Sequence, residues 1–263
     1  MNKIKSFIKG IIAYFTDPFY RIRKLKRYVP GEVSVNGMKI TFPDAASFIA
    51  IYDEIFERFN YDFDTENQTP FIIDCGANIG ISTLFFKRRY PEATILAFEP
   101  DKEVYNYLQK NIEQVQDSRI ILLNKGVWKE DAELEFMSDG SDAGSVVILE
   151  NSGNRRLNKI TAVRLSPFMN REIDFLKIDI EGAELDVLKE IGDRLNLVKR
   201  IFIEYHSFAG KPQELEVLLK TLADHNFRYY LFAPTPVRKK PFVDIDPNAT
   251  FDCLINICAI KQL

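Results

Sequence analysis

Four titratable residues stand where two apolar runs end. Asp179 and Glu181 lie in "FLKIDIEGAE", and Glu204 and His206 lie in "RIFIEYHS". On strands, side chains two positions apart share a face, so the members of each pair point the same way. Buried acids require partners, and Lys177 and His206 are the basic residues in easiest reach. A protonated alcohol is a poor nucleophile, and a base beside its proton activates it. The expected roles place Asp179 near the reacting centre, His206 as general base and Glu181 positioning or assisting. The plainer reading of His206 is a structural residue that orients a neighbouring acid. Asp179, Glu181, Glu204 and Asp142 also form a hard-oxygen set of the kind magnesium takes. Acid–base and hydrogen-bonding roles are expected instead, with no resident metal. The other histidine, His225 in "ADHNF", reads as a surface turn residue.

A second constellation, "FIIDCGANIGIS" (71–82), runs from apolar residues into an acid and then a glycine-bearing loop. Gly76 and Gly80 let backbone approach a ligand without a Cβ in the way. The helix that follows turns its N-terminal amides toward the same spot. Glu99, at the end of the next strand, is placed to accept hydrogen bonds from a ribose diol. Asp74, just before the glycines, would repel a pyrophosphate, and Asn78 stands where a dinucleotide loop carries a third glycine. Asn78 can instead hydrogen-bond an amino-acid carboxylate. The cofactor that fits has no phosphate and a cationic end, as S-adenosylmethionine does; a nicotinamide dinucleotide fits less well. The competing structural reading makes Asp74 a cap of the glycine turn and Glu99 a cap of the helix near Asp101.

The elements that must position these residues alternate. Strand-like runs are Phe71–Ile73, "TILAF" (94–98), "IILL" (120–123), "FLKID" (175–179) and "RIFIEY" (200–205). Helical patterns at Ser82–Tyr90, Lys102–Gln114 and Glu184–Leu195 lie between several of them. Such a series predicts an α/β fold with a parallel sheet and right-handed crossovers. Ligands then bind beyond the strands' carboxyl ends, where the strand order reverses. "ELEFM", "SVVIL" and "ITAVRL" suggest extra β structure. "FRYYLF" and "CLINICAI", with no helix between them, suggest an antiparallel hairpin closing the sheet. Upstream, Asn36-Gly37 between "GEVSV" and "MKITF" is a two-residue hairpin signal. Asp44 caps a helix over 44–59 with Phe48, Ile51, Tyr52, Ile55, Phe56 and Phe59 on one face.

Composition narrows the class. At 263 residues, 46% hydrophobic and 28% charged, the chain is an ordinary globular sequence able to bury a core without staples. Three cysteines without a C-x-x-C pair, and two histidines, argue against a disulfide framework or a zinc site. The net charge of −3 hides a basic N-terminus, where residues 1–30 hold eight Lys and Arg against Asp17 alone. Ile4, Phe7, Ile8, Ile11, Ile12 and Phe15 make one helical face. Residues 1–28 thus read as a basic amphipathic segment for an anionic membrane surface or, alternatively, for docking on the domain. The apolar run is too short to span a bilayer, so a cytoplasmic protein, peripheral at the inner membrane surface, is expected, with no nucleic-acid partner.

"DCGANIGIST", "AFEPDKEVYNYLQKNI", "LNKGVW", "DFLKIDIEGAELDVLKEI" and "IFIEYH" together resemble the FkbM-type family of S-adenosylmethionine-dependent methyltransferases, over about Tyr61 to His206. The resemblance implies a class I methyltransferase Rossmann-like sheet, mostly parallel with a C-terminal antiparallel strand, here carrying an N-terminal helical and hairpin extension. It does not cover the basic N-terminal region or the Pro-rich C-terminal loop; the division expected is a basic amphipathic extension and hairpin over 1–43 and a methyltransferase domain over 44–263. Carried over by motif, Asp74, Gly76, Asn78 and Gly80 surround the methionine part of the cofactor, Glu99 holds the ribose, and Asn124, Gly126 and Val127 border the adenine. It also implies O-methylation, often of sugar hydroxyls on glycans, glycolipids or glycosylated metabolites. A non-sugar small-molecule acceptor and an inactive cofactor-binding scaffold are the alternatives. "VRLSPFM" departs from the family pattern, with Ser166 and Pro167 where acids are usual. Acceptor specificity is expected in helix 44–59 and the Pro-rich loop 233–250.

Overall fold

The apolar runs become the strands of a seven-stranded sheet in the computed structural model, which describes residues 17–138, 144–145, 156–234, 240, 242–243 and 250–262. The N-terminal apolar face (4–15), Asp142, residues 146–149 of "SVVIL" and most of the Pro-rich loop lie outside the described residues. The chain forms β1 (Gly31–Val35), β2 (Met38–Phe42), α1 (Ala45–Tyr52), β3 (Phe71–Cys75), α2 (Ile81–Arg89), β4 (Thr94–Phe98), α3 (Lys102–Glu113) and β5 (Ile120–Leu123). It continues through β6 (Gly126–Val127), β7 (Ala132–Ser138), β8 (Gly144–Ser145), β9 (Arg156–Val163), β10 (Phe175–Ile178), α4 (Glu184–Ile191), β11 (Arg200–Phe208), α5 (Leu215–Asp224), β12 (Phe227–Phe232) and β13 (Phe251–Lys261).

The main sheet has the order β12-β13-β11-β10-β3-β4-β5. β3, β4, β5, β10 and β11 are parallel, and β13 runs antiparallel between β11 and β12. This is the class I methyltransferase arrangement. Every residue of β3 and β10 is buried, as expected of strands covered by helices on both faces. From β3 the chain steps outward through β4 and β5, then returns to β3's other side as β10. The strand order reverses there, so a crevice opens beyond the carboxyl ends of β3 and β10. The extra β structure is a small sheet, β6-β9-β7-β8, beside that crevice.

Local chemistry sets the element ends. Asp101 caps α3 by accepting from the Glu103 and Val104 amides, and Asp44 caps α1 through the Ser47 amide at 2.9 Å. Asn36 and Gly37, with φ of 51° and 77°, make the tight turn of the β1–β2 hairpin. Asn111 on α3 ties that hairpin to the body: its Oδ1 accepts from the Thr41 amide and hydroxyl, and its Nδ2 donates to the Thr41 and Ile79 carbonyls. The hairpin and α1 share one aromatic core with the sheet's near face.

Two helices end earlier than their periodicity predicts. α1 widens into a π-helical turn at Asp53–Glu57. The extra residue per turn breaks the 3.6-residue phase, so Phe59 comes out exposed at φ 56°. α4 stops at Gly192, whose φ of 48° suits a helix terminus, and a 3-10 segment carries the chain to Leu197.

Candidate active site

A cavity of about 460 Å³ fills the crevice, a size typical of small-molecule sites. Its floor is the glycine loop. Gly76 (φ 85°) lies so close to β10 that a Cβ there would sit 1.9 Å from the Asp179 carbonyl oxygen. Gly80 (φ 91°) does not line the cavity; a Cβ there would meet Leu108 of α3 at 2.7 Å. One glycine admits a strand and the other admits a helix. Asn78, also at positive φ, lines the cavity and donates its amide to Glu99 Oε2 at 3.0 Å.

Glu99 is buried at the cavity wall, with Oε1 accepting from the Asp101 amide at 2.8 Å. Burial pushes its carboxyl up to about 8 despite these two amides. Asn124 does not line the cavity but donates to the Glu99 and Pro100 carbonyls at 2.9 and 3.0 Å, fixing the backbone that presents Glu99. Gly126 and Val127 of β6 form the next wall, facing Phe98, Phe136 and Ile160 across an apolar slot.

Asp74 takes a different place from the one expected. It is fully buried and does not line the cavity. Its Oδ2 accepts from the Ser82 and Thr83 hydroxyls at 2.6 and 3.0 Å, pinning the start of α2. Its Oδ1 has no hydrogen bond and lies 3.6 Å from Lys177 Nζ. The cause is register: Asp74 pairs directly with Lys177 across β3 and β10, so both side chains stand on one face of the sheet. Lys177 in turn donates to the Gly76 carbonyl at 2.7 Å and to Asp179 Oδ2 at 3.0 Å. Burial opposes its charge, but Asp179 and Asp74 outweigh burial and hold the ammonium above its usual range.

Asp179, Glu181, Glu204 and His206 do converge, at the cavity end nearest β10 and β11. His206 Nδ1 lies 2.8 Å from Glu184 Oε1, and Nε2 lies 3.5 Å from Glu181 Oε2. Burial disfavours its charge, yet Glu184 and Glu181 together hold its pKa well above the ordinary histidine value. These two carboxylates therefore favour the protonated form of the ring. The expected general-base role would be played by the ring in its neutral form. Burial, then Asp179, raises the Glu204 carboxyl to about 8.

Three contributors escaped the sequence reading of the chemistry. Glu184, the first residue of α4, is buried against His206 and also accepts from the Gly182 amide at 2.9 Å; an acid in a first helical turn looked like ordinary helix-end chemistry. Glu54 and Tyr61 enter from outside the motifs. α1 and its π-helical turn bring Ala50, Ile51, Glu54 and Ile55 onto the wall, within the segment expected to govern acceptor choice. Ser166, where the family pattern carries an acid, donates its hydroxyl to Glu190 at the start of a 3-10 turn and stays outside the cavity.

The FkbM methyltransferase domain matches residues 74–229. The chain belongs to the FkbM methyltransferase family. Methyltransferase sdnD of Sordaria araneosa is 32% identical over 206 residues, covering 65% of this chain and 79% of that protein. Hexuronic acid methyltransferase AglP of Haloferax volcanii is 25% identical over 149 residues, covering 56% and 59%. The crystal structure of an FkbM methyltransferase from Methylobacillus flagellatus superposes with a TM-score of 0.50 at 17% identity, over 77% of this chain and 46% of that longer one. That likeness supports the shared fold.

Proposed function

We propose that this FkbM-family methyltransferase transfers a methyl group from S-adenosylmethionine to a hydroxyl of a sugar-containing acceptor. The observation that carries the reading is the division of one cavity into two chemistries: an apolar slot beside buried Glu99, and a cluster of acids around Asp179 and His206. The glycine loop 74–80 has no basic side chain, which suits a cofactor without phosphate. S-adenosylmethionine, when bound, supplies an electrophilic methyl on a sulfonium. Glu99 would accept the ribose hydroxyls, and Val127, Phe136 and Ile160 would enclose the adenine. At the other end Asp179 and Glu204 would orient the acceptor oxygen, and a carboxyl in its ionised form would take its proton. Orientation of this kind supplies much of the rate in a displacement reaction. Tyr61, Ile55 and Leu254 line the same end and exclude water.

The sugar acceptor rests on the hydrogen-bonding acids at that end and on the likeness to AglP, whose name records a hexuronic acid. The test is calorimetric binding of S-adenosylhomocysteine followed by a methyl-transfer screen over glycans, glycolipids and free sugars. Binding with transfer to a sugar hydroxyl supports the reading. Transfer only to a non-sugar acceptor overturns the substrate class, and binding without any transfer turns the chain into a scaffold. The basic N-terminal segment, residues 1–28, is proposed as a peripheral membrane contact; no helix among the described residues is long and apolar enough to cross a bilayer. Loss of membrane association on deleting that segment is the expected result, and unchanged fractionation would count against it.

A further inference from the structure

The acid cluster has a composition that general acid–base work does not require. Asp179, Glu181 and His206 each bring one donor atom into a group whose atoms all lie within 4.8 Å of one another. Two ligands held about 2.1 Å from one ion are roughly 3 Å apart when adjacent and about 4.2 Å apart when opposed. The 3.5 Å between His206 Nε2 and Glu181 Oε2 already falls in that range, and Asp179 has an oxygen within 4.8 Å of both residues' ligand atoms. Asp179 keeps an oxygen for this purpose, since Lys177 engages Oδ2.

Two features outside the cluster point the same way. Glu184 holds Nδ1 of His206 at 2.8 Å and is itself fixed by the Gly182 amide. A carboxylate on one ring nitrogen aims the other at a ligand, as in metal-binding histidines, and an ion at Nε2 takes the place of the proton that Glu181 otherwise favours there. Glu181 sits at φ 58°, sparsely populated for a residue with a Cβ, in a turn where Gly182 (φ 104°) leaves only 2.4 Å between a Cβ and the Phe208 ring. Such backbone persists where the surroundings over-determine it, often at functional sites. The wall around the cluster is also rich in carboxyl groups: Glu54 and Glu204 line it with Asp179 and Glu181, against Lys177 and His206.

We propose that Asp179, Glu181 and His206 form a divalent-cation site, for Mn²⁺ or Mg²⁺, at the acceptor end of the cavity, with Glu184 as the positioning residue behind it. Two carboxylates and one imidazole suit an octahedral ion of this hardness and leave its remaining positions to water and to acceptor oxygens. Its role in catalysis rests on the methyltransferase reading; its binding of the ion does not. A hydroxyl on the ion is polarised and loses its proton more readily. That proton would pass to Glu204 in its ionised form, which grows as pH rises toward about 8, while the acceptor oxygen would form a bond to the methyl carbon and the methyl–sulfur bond would break with its electron pair remaining on sulfur as a thioether. An acceptor offering two neighbouring oxygens, such as a sugar diol or a hydroxy acid, would chelate the ion and be selected by it.

The experiment uses the full chain, stripped with a chelator and titrated with MnCl₂ and separately with MgCl₂ by calorimetry. One ion per chain is expected, with Mn²⁺ affinity reduced at least about tenfold in Glu181→Gln and in His206→Asn, and roughly 10–100-fold in Glu184→Gln. Glu181 is partly exposed, so its variant tests the site without a core defect, and retained S-adenosylhomocysteine binding reports a folded cofactor pocket in all three. Chelation should abolish methyl transfer, and Mn²⁺ or Mg²⁺ should restore it. Full transfer by the chelated protein, or Mn²⁺ binding equal in wild type and Glu181→Gln, overturns the proposal. Specific Mn²⁺ binding without S-adenosylhomocysteine binding upholds the cation site and refutes the methyltransferase reading instead.

Discussion

Replacing Lys177 by Met tests how the two halves of the cavity are joined. Methionine keeps most of the apolar stem and removes the ammonium that lies between Asp74, Asp179 and the Gly76 carbonyl. Asp74 is 0% exposed and would keep only the Ser82 and Thr83 hydroxyls, with Oδ1 left facing no charge. Removing one partner of a buried ion pair costs about 3–5 kcal/mol, because the remaining charge stays out of water. Each kcal/mol lowers the melting temperature of a chain this size by roughly 2–4 °C, so a drop of about 6–20 °C is expected. Urea denaturation followed by circular dichroism gives the free energy directly. Adding Asp74→Asn to Lys177→Met removes the stranded charge, and the double variant should recover roughly 1–3 kcal/mol relative to additive losses. The sign with pH is set by the raised ammonium pKa: the contribution is intact below its ordinary value of 10.5 and is lost as pH rises through the higher folded value. A loss below about 1 kcal/mol in Lys177→Met, or strict additivity in the double variant, would refute this account of the network.

Gly76→Ala should abolish S-adenosylhomocysteine binding or folding, since its Cβ would lie 1.9 Å from the Asp179 carbonyl oxygen; calorimetry and circular dichroism separate the two, and unchanged binding would contradict the geometry. Glu99 predicts a pH dependence. Its carboxyl is raised to about 8 by burial, so its contribution to stability is full below the ordinary value of 4.5 and is lost as pH rises through about 8. Ribose hydroxyls donate best to the ionised form, so affinity for S-adenosylhomocysteine should rise through about pH 8 and level only above it. Glu99→Gln should flatten that rise and weaken binding roughly 10–150-fold, the equivalent of about 1.5–3 kcal/mol for a hydrogen bond to a charge. Asn111→Leu should cost about 2–4 kcal/mol in urea unfolding, because it strands the buried groups of Thr41 and Ile79 that Asn111 satisfies; a loss under about 1 kcal/mol would mean those groups find other partners.

Much of this molecule could be read along the chain because its signals are local. The parallel strands are buried on both faces, so each appears as an unbroken apolar run, as "FLKI" does in β10. Asp44 and Asp101 cap their helices through amides two or three residues away, and Asn36-Gly37 makes its own turn. The glycine loop was legible as a turn, because a backbone at positive φ leaves its mark in residue type. Family membership also follows from motifs that lie in order along the chain.

What tertiary structure decided are the destinations of side chains whose partners are distant in sequence. Asp74 faces Lys177 rather than the cavity because β3 and β10 pair in that register, a relation spanning about a hundred residues. His206 is held toward its protonated form because the first turn of α4 and the turn before it bring Glu184 and Glu181 to opposite edges of its ring. Glu54 reaches the cavity because a π-helical turn re-aims the end of α1. Residue types and spacing determined which groups were available and which backbone could form. Charge state and direction depend on burial and on neighbours across the sheet, and these exist only once the chain has folded.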